Sequence, residues 1–334
     1  MIVSHKHKLI FVKTHKTSTQ TFMKFIKPHL GADDVMAGDP SNDINENTKL
    51  NVDKPFTQTG KSALEYQEKY GNHLPWFIIK EIVGDDIWNE YTTLTIEREP
   101  QDRLVSLFCF LNPLLVKKSH FLPTEQTRAA LSGPEIRDML QNSLLQLYPD
   151  HVRSYFEDIM LLQLSVDQLP LTNHDTYSAV GVEQERELLI NKARELGLDK
   201  IYQVDNDPID FVTKGGVDHA CHPYIPRDVW IRIEPYKRHQ NTEGQCRFLN
   251  YGYYHDGEQT QVDHVIDFIN VGDNVGDVFR QNNIQIDCNN DTYNQSSQNI
   301  HYRASEDVPD VKWWYQGNKG DMIKKLLTNR FTIN

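Results

Sequence analysis

The sequence predicts an α/β fold in which a mostly parallel central sheet is flanked by helices, and three observations carry the prediction. A short run of apolar, β-branched and aromatic residues, Lys8 to Lys13 (KLIFVK), gives way to apolar residues at Phe22, Phe25 and Ile26, which is helical spacing. The same change of period recurs from Tyr91–Glu97 (YTTLTIE) into the segment after Pro100. A buried-strand pattern then returns late, at Val262 to Val271 (VDHVIDFINV). Strand, loop and helix in that order form the first half of a βαβ unit, and here the order occurs twice.

Taken in order, Thr17, Ser18 and Thr19 offer cap residues for the first helix, and Pro28 and Gly31 end it. Residues 32–60 are polar, rich in Asp and Asn and without period, so they read as a long surface loop. Residues 62–71 and 80–91 read as helical. Pro100 suits the first turn of the helix after the second strand, where Leu104, Leu107 and Phe108 share one face. Helical patterns follow at 135–148, 151–164 and 183–197, and residues 206–257, with scattered Pro, Gly and His, are irregular. After the late strand come a helix to about residue 283, an Asn/Gln/Ser-rich loop over 288–299 and a terminal helix beginning at Met322 to Leu327. There is no internal repeat. The 334 residues suit one large domain, its core formed by 1–111 and 261–334 and the stretch 112–260 an insertion.

A chain of this length buries roughly 75% of its unfolded surface and needs no staple to fold. The four cysteines, Cys109, Cys221, Cys246 and Cys288, follow no regular spacing, which argues against a disulfide framework and for a reducing, cytoplasmic setting. No stretch approaches the ~20 apolar residues of a membrane span, and the run Leu9 to Val12 is too short for a signal-peptide core, so a soluble chain opening at Met1 is expected.

Net charge is −12, which argues against nucleic acid as a partner. The first thirty residues nevertheless hold six lysines (Lys6, Lys8, Lys13, Lys16, Lys24, Lys27), four histidines and no acid, a local +6 against −18 for the rest. A basic patch on an acidic chain points to a small anionic ligand near the start of the sequence.

Two segments concentrate that chemistry. Lys13-Thr-His-Lys-Thr-Ser-Thr-Gln-Thr21 lies between the first strand and first helix, where unpaired backbone N–H groups and the positive end of the helix dipole favour a phosphate. Lys16 adds a full charge, and Thr17, Ser18, Thr19 and Thr21 add hydroxyls. The logic is P-loop-like, but no glycine precedes Gly31, so the Gly-x4-Gly-Lys-Ser/Thr pattern of nucleoside triphosphatases is absent. The plainer reading is a helix cap beside exposed lysines. In the second segment Arg98 ends a strand and Ser106 follows on the next helix, so both can converge on one anion at the carboxyl edge of the sheet. Arginine's planar fork suits phosphate, whereas Arg103 more simply pairs with Asp102 or Glu99.

Thr14-His-Lys-Thr-Ser-Thr-Gln-Thr21 resembles the 5'-phosphosulfate loop of sulfotransferases that use 3'-phosphoadenosine 5'-phosphosulfate (PAPS), and Arg98-Glu-Pro-x-x-Arg103-x-x-Ser106 resembles their 3'-phosphate segment. The stretch His73 to Ser106, with Ile79-Lys-Glu-Ile-Val-Gly and Ile87-Trp-Asn-Glu-Tyr91, is similar to the carbohydrate sulfotransferase branch. Val262-Asp-His-Val-Ile-Asp-Phe268 and His301-Tyr-Arg303 resemble its late segments more weakly.

The resemblance implies transfer of a sulfuryl group from PAPS to a hydroxyl, most simply of a glycan, with 3'-phosphoadenosine 5'-phosphate (PAP) as product. It implies that Lys16 stabilises the departing oxygen, that Thr17, Ser18, Thr19, Gln20 and Thr21 hold the 5'-phosphate, and that Arg98 and Ser106 hold the 3'-phosphate. Arg303 would close over the nucleotide, with a surface ion pair as its simpler role. His73 stands where that branch often has histidine and would be the general base, with His15 and His29 as competitors. Lysine, arginine and a helix terminus supply positive charge, so no metal is expected. The insertion would shape the acceptor site. Two positions depart from the family pattern: Glu99 stands where many relatives carry asparagine, and His15 where many carry proline.

Other readings stay open. Asp218-His219-Ala-Cys221-His222 is dense in metal ligands but lacks a Cys-x2-Cys partner and reads as an ordinary loop. Tyr251, Tyr253, Tyr254, Trp313, Trp314 and Tyr315 suit sugar stacking or, more commonly, core packing. The alternatives to an enzyme of this class are a non-catalytic nucleotide- or glycan-binding protein on the same fold and, less favoured, a P-loop-type kinase, which would need the missing glycines and a metal-binding acid.

Overall fold

The computed structural model describes residues 1–38, 49–70, 73–111, 145, 149–166, 191–192, 194–197, 251–296 and 308–331. The chain divides into two compact units. The first holds the sheet. Its described elements are β1 (Ile2–Ser4), β2 (Leu9–Phe11), α1 (Thr19–Ile26), β3 (Val35–Met36), α2 (Ala63–Tyr70), α3 (Trp76–Val83), α4 (Asp85–Glu90), β4 (Thr92–Glu97), β5 (His264–Asp267), α7 (Val271–Gln281) and α8 (Asn290–Gln295). Helices α5 (Pro100–Leu111), α6 (Pro149–Val166), α9 (Val311–Trp314) and α10 (Gly317–Phe331) belong to the second unit.

The five strands run in the order β3-β1-β2-β4-β5. Pairing of β2 with β4 and of β4 with β5 is parallel, with Phe11 opposite Leu94 and Ile96 opposite Ile266. Both pairings of β1 are antiparallel, to β2 and to β3. The expected mostly parallel sheet is therefore mixed. The reason lies in Ile2–Ser4, which turns through Lys8 (φ 49°) into a hairpin with β2 and is too short to show a period in the sequence.

Successive strand residues face opposite ways, and both faces are covered. Ile2, Leu9, Phe11, Leu94, Ile96 and Ile266 pack with Phe22, Phe25 and Ile26 of α1 and Val275 and Phe279 of α7. On the other face Val3, Ile10 and Val12 meet Ala63, Tyr66 and Tyr70 of α2 and Ile78, Ile79, Ile82 and Val83 of α3. KLIFVK is thus a strand buried on both sides, as its unbroken apolar run predicts.

Elsewhere the boundaries move. The polar stretch 32–60 contains β3, held by Met36–Leu50 pairing. The helix expected over 80–91 begins at Trp76 and is broken by Gly84 (φ 84°, ψ 160°), a backbone region open to glycine, which gives α3 and α4. The late strand shortens to His264–Asp267 at the sheet edge, where only Ile266 is buried. Part of the expected 288–299 loop is α8, started by a capping box in which Thr292 N–H donates to Asn289 Oδ1 and Asn289 N–H to Thr292 Oγ1. Most of the helices expected at 135–148 and 183–197, and the segment with Cys221 and Cys246, lie outside the described residues.

In the second unit, Pro100 opens α5 as expected, and Phe108, Tyr155, Phe156, Trp314 and Tyr315 form an aromatic cluster, with Phe156 and Trp314 centroids 5.0 Å apart. Lys319 is paired with buried Asp158. Among the described residues no helix is long and apolar enough to cross a membrane.

Candidate functional site

The loop between β2 and α1 is fastened to the next strand before it turns. Val12 N–H donates to Leu94 O (2.9 Å), Thr95 Oγ1 donates to Val12 O (2.8 Å) and Thr14 Oγ1 donates to Ile96 O (2.7 Å). A carbonyl only accepts, so the Thr14 proton is committed to Ile96. The 2.8 Å contact between Thr14 and Thr17 hydroxyls must then use the Thr17 proton. Thr17 is fully buried and its hydroxyl ties the loop together; it does not stand ready as a donor to an outside group.

With its start fixed, the chain passes through two left-handed residues, Lys16 (φ 60°) and Ser18 (φ 61°), with Thr17 at negative φ between them. Each costs a non-glycine residue roughly 1–2 kcal/mol, and such strain persists only where the surroundings over-determine it. Ser18 is the N-cap of α1, whose start has no side-chain cap and no acid in its first turn. The first turn therefore adds no negative charge at the dipole's positive end. From α8, buried Tyr293 donates its hydroxyl to Ser18 O (3.2 Å).

Arg98 sits at the end of β4, beside this loop. Its Nη1 donates to Lys16 O (3.5 Å), and the guanidinium lies over the Phe268 ring, 4.7 Å from the centroid. Behind it, Glu97 Oε1 accepts from Arg98 N–H (3.2 Å) and Glu97 Oε2 from the Tyr254 hydroxyl (3.3 Å). Two cationic residues are thus brought to the carboxyl ends of adjacent parallel strands, the edge where open α/β sheets hold ligands.

His73, just ahead of α3, closes on the start of the same loop. Nδ1 is 3.1 Å from Lys13 O, so Nδ1–H is the donor and Nε2 of the neutral ring holds the lone pair. Its ring stacks on His15, centroids 3.6 Å apart and planes at 24°, and His15 Nε2 is 3.2 Å from the Tyr253 hydroxyl. Burial, then the neighbouring His15 and Lys13, hold His73 well below the usual imidazole range, so it is neutral at pH 7. His29 follows α1, at least roughly 12 Å along the helix axis from Ser18.

Thr19 is buried, Thr21 is half-buried, and Gln20 Oε1 is buried without a hydrogen-bond partner. Ser106 is buried on α5 in the second unit. Arg303 and the Asp218–His222 cluster lie outside the described residues, among which no group of three or more His, Cys, Asp or Glu could hold a metal. Tyr253, Tyr254, Trp314 and Tyr315 are buried, which makes them core and not sugar platforms, and Trp313 is covered by Arg153, 5.1 Å from its centroid. Sequence reasoning missed the fastening role of Thr14 and Thr95, although threonine at an inward position of an otherwise apolar strand is a signal for it. It also missed Phe268 beneath Arg98, which no local pattern reveals.

No family model matches the chain, and neither a curated protein nor a solved structure matches it.

Proposed function

We propose that the protein is a sulfotransferase that moves a sulfuryl group from PAPS to a hydroxyl, most simply that of a carbohydrate. The observation that carries this reading is the joint placement of the left-handed loop Lys16–Ser18 at the start of α1 and the Arg98 guanidinium on the Lys16 carbonyl. A donor with anionic groups at both ends of its ribose needs two such positive positions close together.

In this reading the N–H groups of the loop and the first turn of α1 hold the 5'-phosphate, and Arg98 holds the 3'-phosphate. Thr17 contributes backbone, since its hydroxyl is used within the loop. His73 Nε2 takes the proton of the acceptor hydroxyl while that oxygen forms its bond to sulfur. Lys16 stabilises the charge that grows on the bridging oxygen as the old sulfur–oxygen bond breaks and PAP departs. A prepositioned cation of this kind is typically worth ~10²–10³ in rate. Base catalysis adds roughly 10²–10⁴.

The test is release of PAP from PAPS in the presence of glycans, with a simple phenol beside them to separate acceptor classes. Lys16→Ala should lower turnover by ~10²–10³ while nucleotide binding persists. Binding of PAP with no transfer to any acceptor would favour a non-catalytic binding protein.

A further inference from the structure

The stacked histidines carry more than a choice of base. At a centroid distance of 3.6 Å two imidazolium rings would face each other at a separation where like charges strongly oppose one another. The stack is held at three points. His73 Nδ1–H is anchored on Lys13 O, His15 Nε2 is within hydrogen-bond distance of the Tyr253 hydroxyl, and the Tyr253 ring stands edge-on to both, 5.5 Å from His15 and 6.3 Å from His73. Tyr253 is fully buried, and His15 is itself buried on the loop that contains Lys16.

We propose that His15 is a positioning residue for His73: the stack pinned by Tyr253 accepts one proton in total, and His15 fixes the His73 ring with Nε2 as the site that takes it. The substrate proton in question rests on the sulfotransferase reading, but the one-proton behaviour does not. The step is a simple transfer. The acceptor O–H bond breaks, its electron pair stays on oxygen for the new bond to sulfur, and the proton forms an N–H bond at His73 Nε2. His15 then presents a neutral ring face to the imidazolium. The charged or titratable groups facing His73 include Lys13 on the loop after β2, the Met1 amine beside β1, which burial holds well below its usual range, His15 and Tyr253. Lys13 and a first proton on the pair both discourage a second.

The test is ring-resolved NMR titration of the full chain from about pH 8 to about pH 5, in the wild type, His15→Gln and Tyr253→Phe. The proposal expects His73 to stay in the Nδ1–H form when neutral and the pair to gain a single proton. In His15→Gln the site should still take one proton, now on a His73 ring that is less firmly oriented, so the single Nδ1–H form should give way to a mixture of tautomers. kcat should fall with it, and KM for PAPS should stay unchanged. Tyr253→Phe should broaden or split the His15 and His73 signals as the stack loosens. Two independent one-proton steps in the wild type, or an unaltered single Nδ1–H form of His73 in His15→Gln, would overturn the proposal. The wild-type titration alone decides the matter if the variants fail to fold. Failure of PAP to bind any form would instead sink the donor assignment and leave the titration result standing.

Discussion

Two parallel strands of the same sheet, β2 and β5, each run into a loop and a helix, and their helix starts are finished in opposite ways. After β5, left-handed Asn270 leads into α7, where Gly272 N–H and Asp273 N–H donate to Asn290 Oδ1 (3.0 and 3.4 Å). The Asp273 carboxylate lies in that first turn and accepts from Asn290 N–H (3.0 Å), while Asn274 Nδ2 donates to Asp267 O and Ile269 O (3.1 and 2.6 Å). That helix start is closed by the chain itself and carries negative charge. The first turn of α1 holds no acid, and Arg98 reaches the Lys16 carbonyl beside it. One strand-loop-helix thus closes its helix start with its own side chains, and the other brings two cationic residues to it. Topology alone does not set the charge of a helix start; the side chains around it do.

The largest expected effect breaks the contrast on the β2 side. Lys16→Ala should lower kcat by ~10²–10³, about 2.7–4 kcal/mol of barrier, with PAP binding largely retained, whereas Asn270→Ala should leave kcat unchanged. Next comes the closed side. A Cβ at Gly276 would lie 2.1 Å from Cys288 O, so Gly276→Ala should destabilise the fold by about 3 kcal/mol, read as a lowered denaturation midpoint. Thr14→Val should cost about 2 kcal/mol, because it strands the Ile96 carbonyl and the Thr17 hydroxyl, and should weaken PAP binding as the loop loosens.

A smaller effect concerns pH. The folded chain holds His73 below its usual value of 6.5, so below about pH 6.5 the unfolded chain binds a proton that the folded chain refuses. Stability is then full above that pH and falls as pH drops through it. His29 and His255 are also lowered, mainly by burial, and act in the same direction. His73→Gln should flatten part of this acid limb in denaturation curves taken across the range. Smallest of all, Lys16→Gly should be more stable than Lys16→Ala by about 1 kcal/mol, because only glycine relieves the left-handed backbone, and both should lose the same ~10²–10³ in kcat.

Much of the framework was legible in the sequence because its signals are local. KLIFVK is unbroken because both faces of β2 are buried, Pro100 opens α5, and the first apolar stripe is α1. The hairpin strand Ile2–Ser4 and the edge strand His264–Asp267 were illegible in detail, since three or four residues carry no period and pairing direction is set at a distance. The site divides in the same way. Lys16 and Arg98 stand out by residue type at strand ends, but the commitment of the Thr17 hydroxyl, the Phe268 ring under Arg98 and the Tyr253–His15–His73 assembly join residues separated by up to 238 positions, and only the fold brings them together.

The most direct test is calorimetric titration of the whole protein with PAP, beside AMP and ATP and without added metal. The account predicts that PAP binds at least about tenfold more tightly than AMP, and that Arg98→Ala removes most of the difference while leaving AMP affinity little changed. Equal affinity for PAP and AMP, or a PAP preference that survives Arg98→Ala, would contradict it.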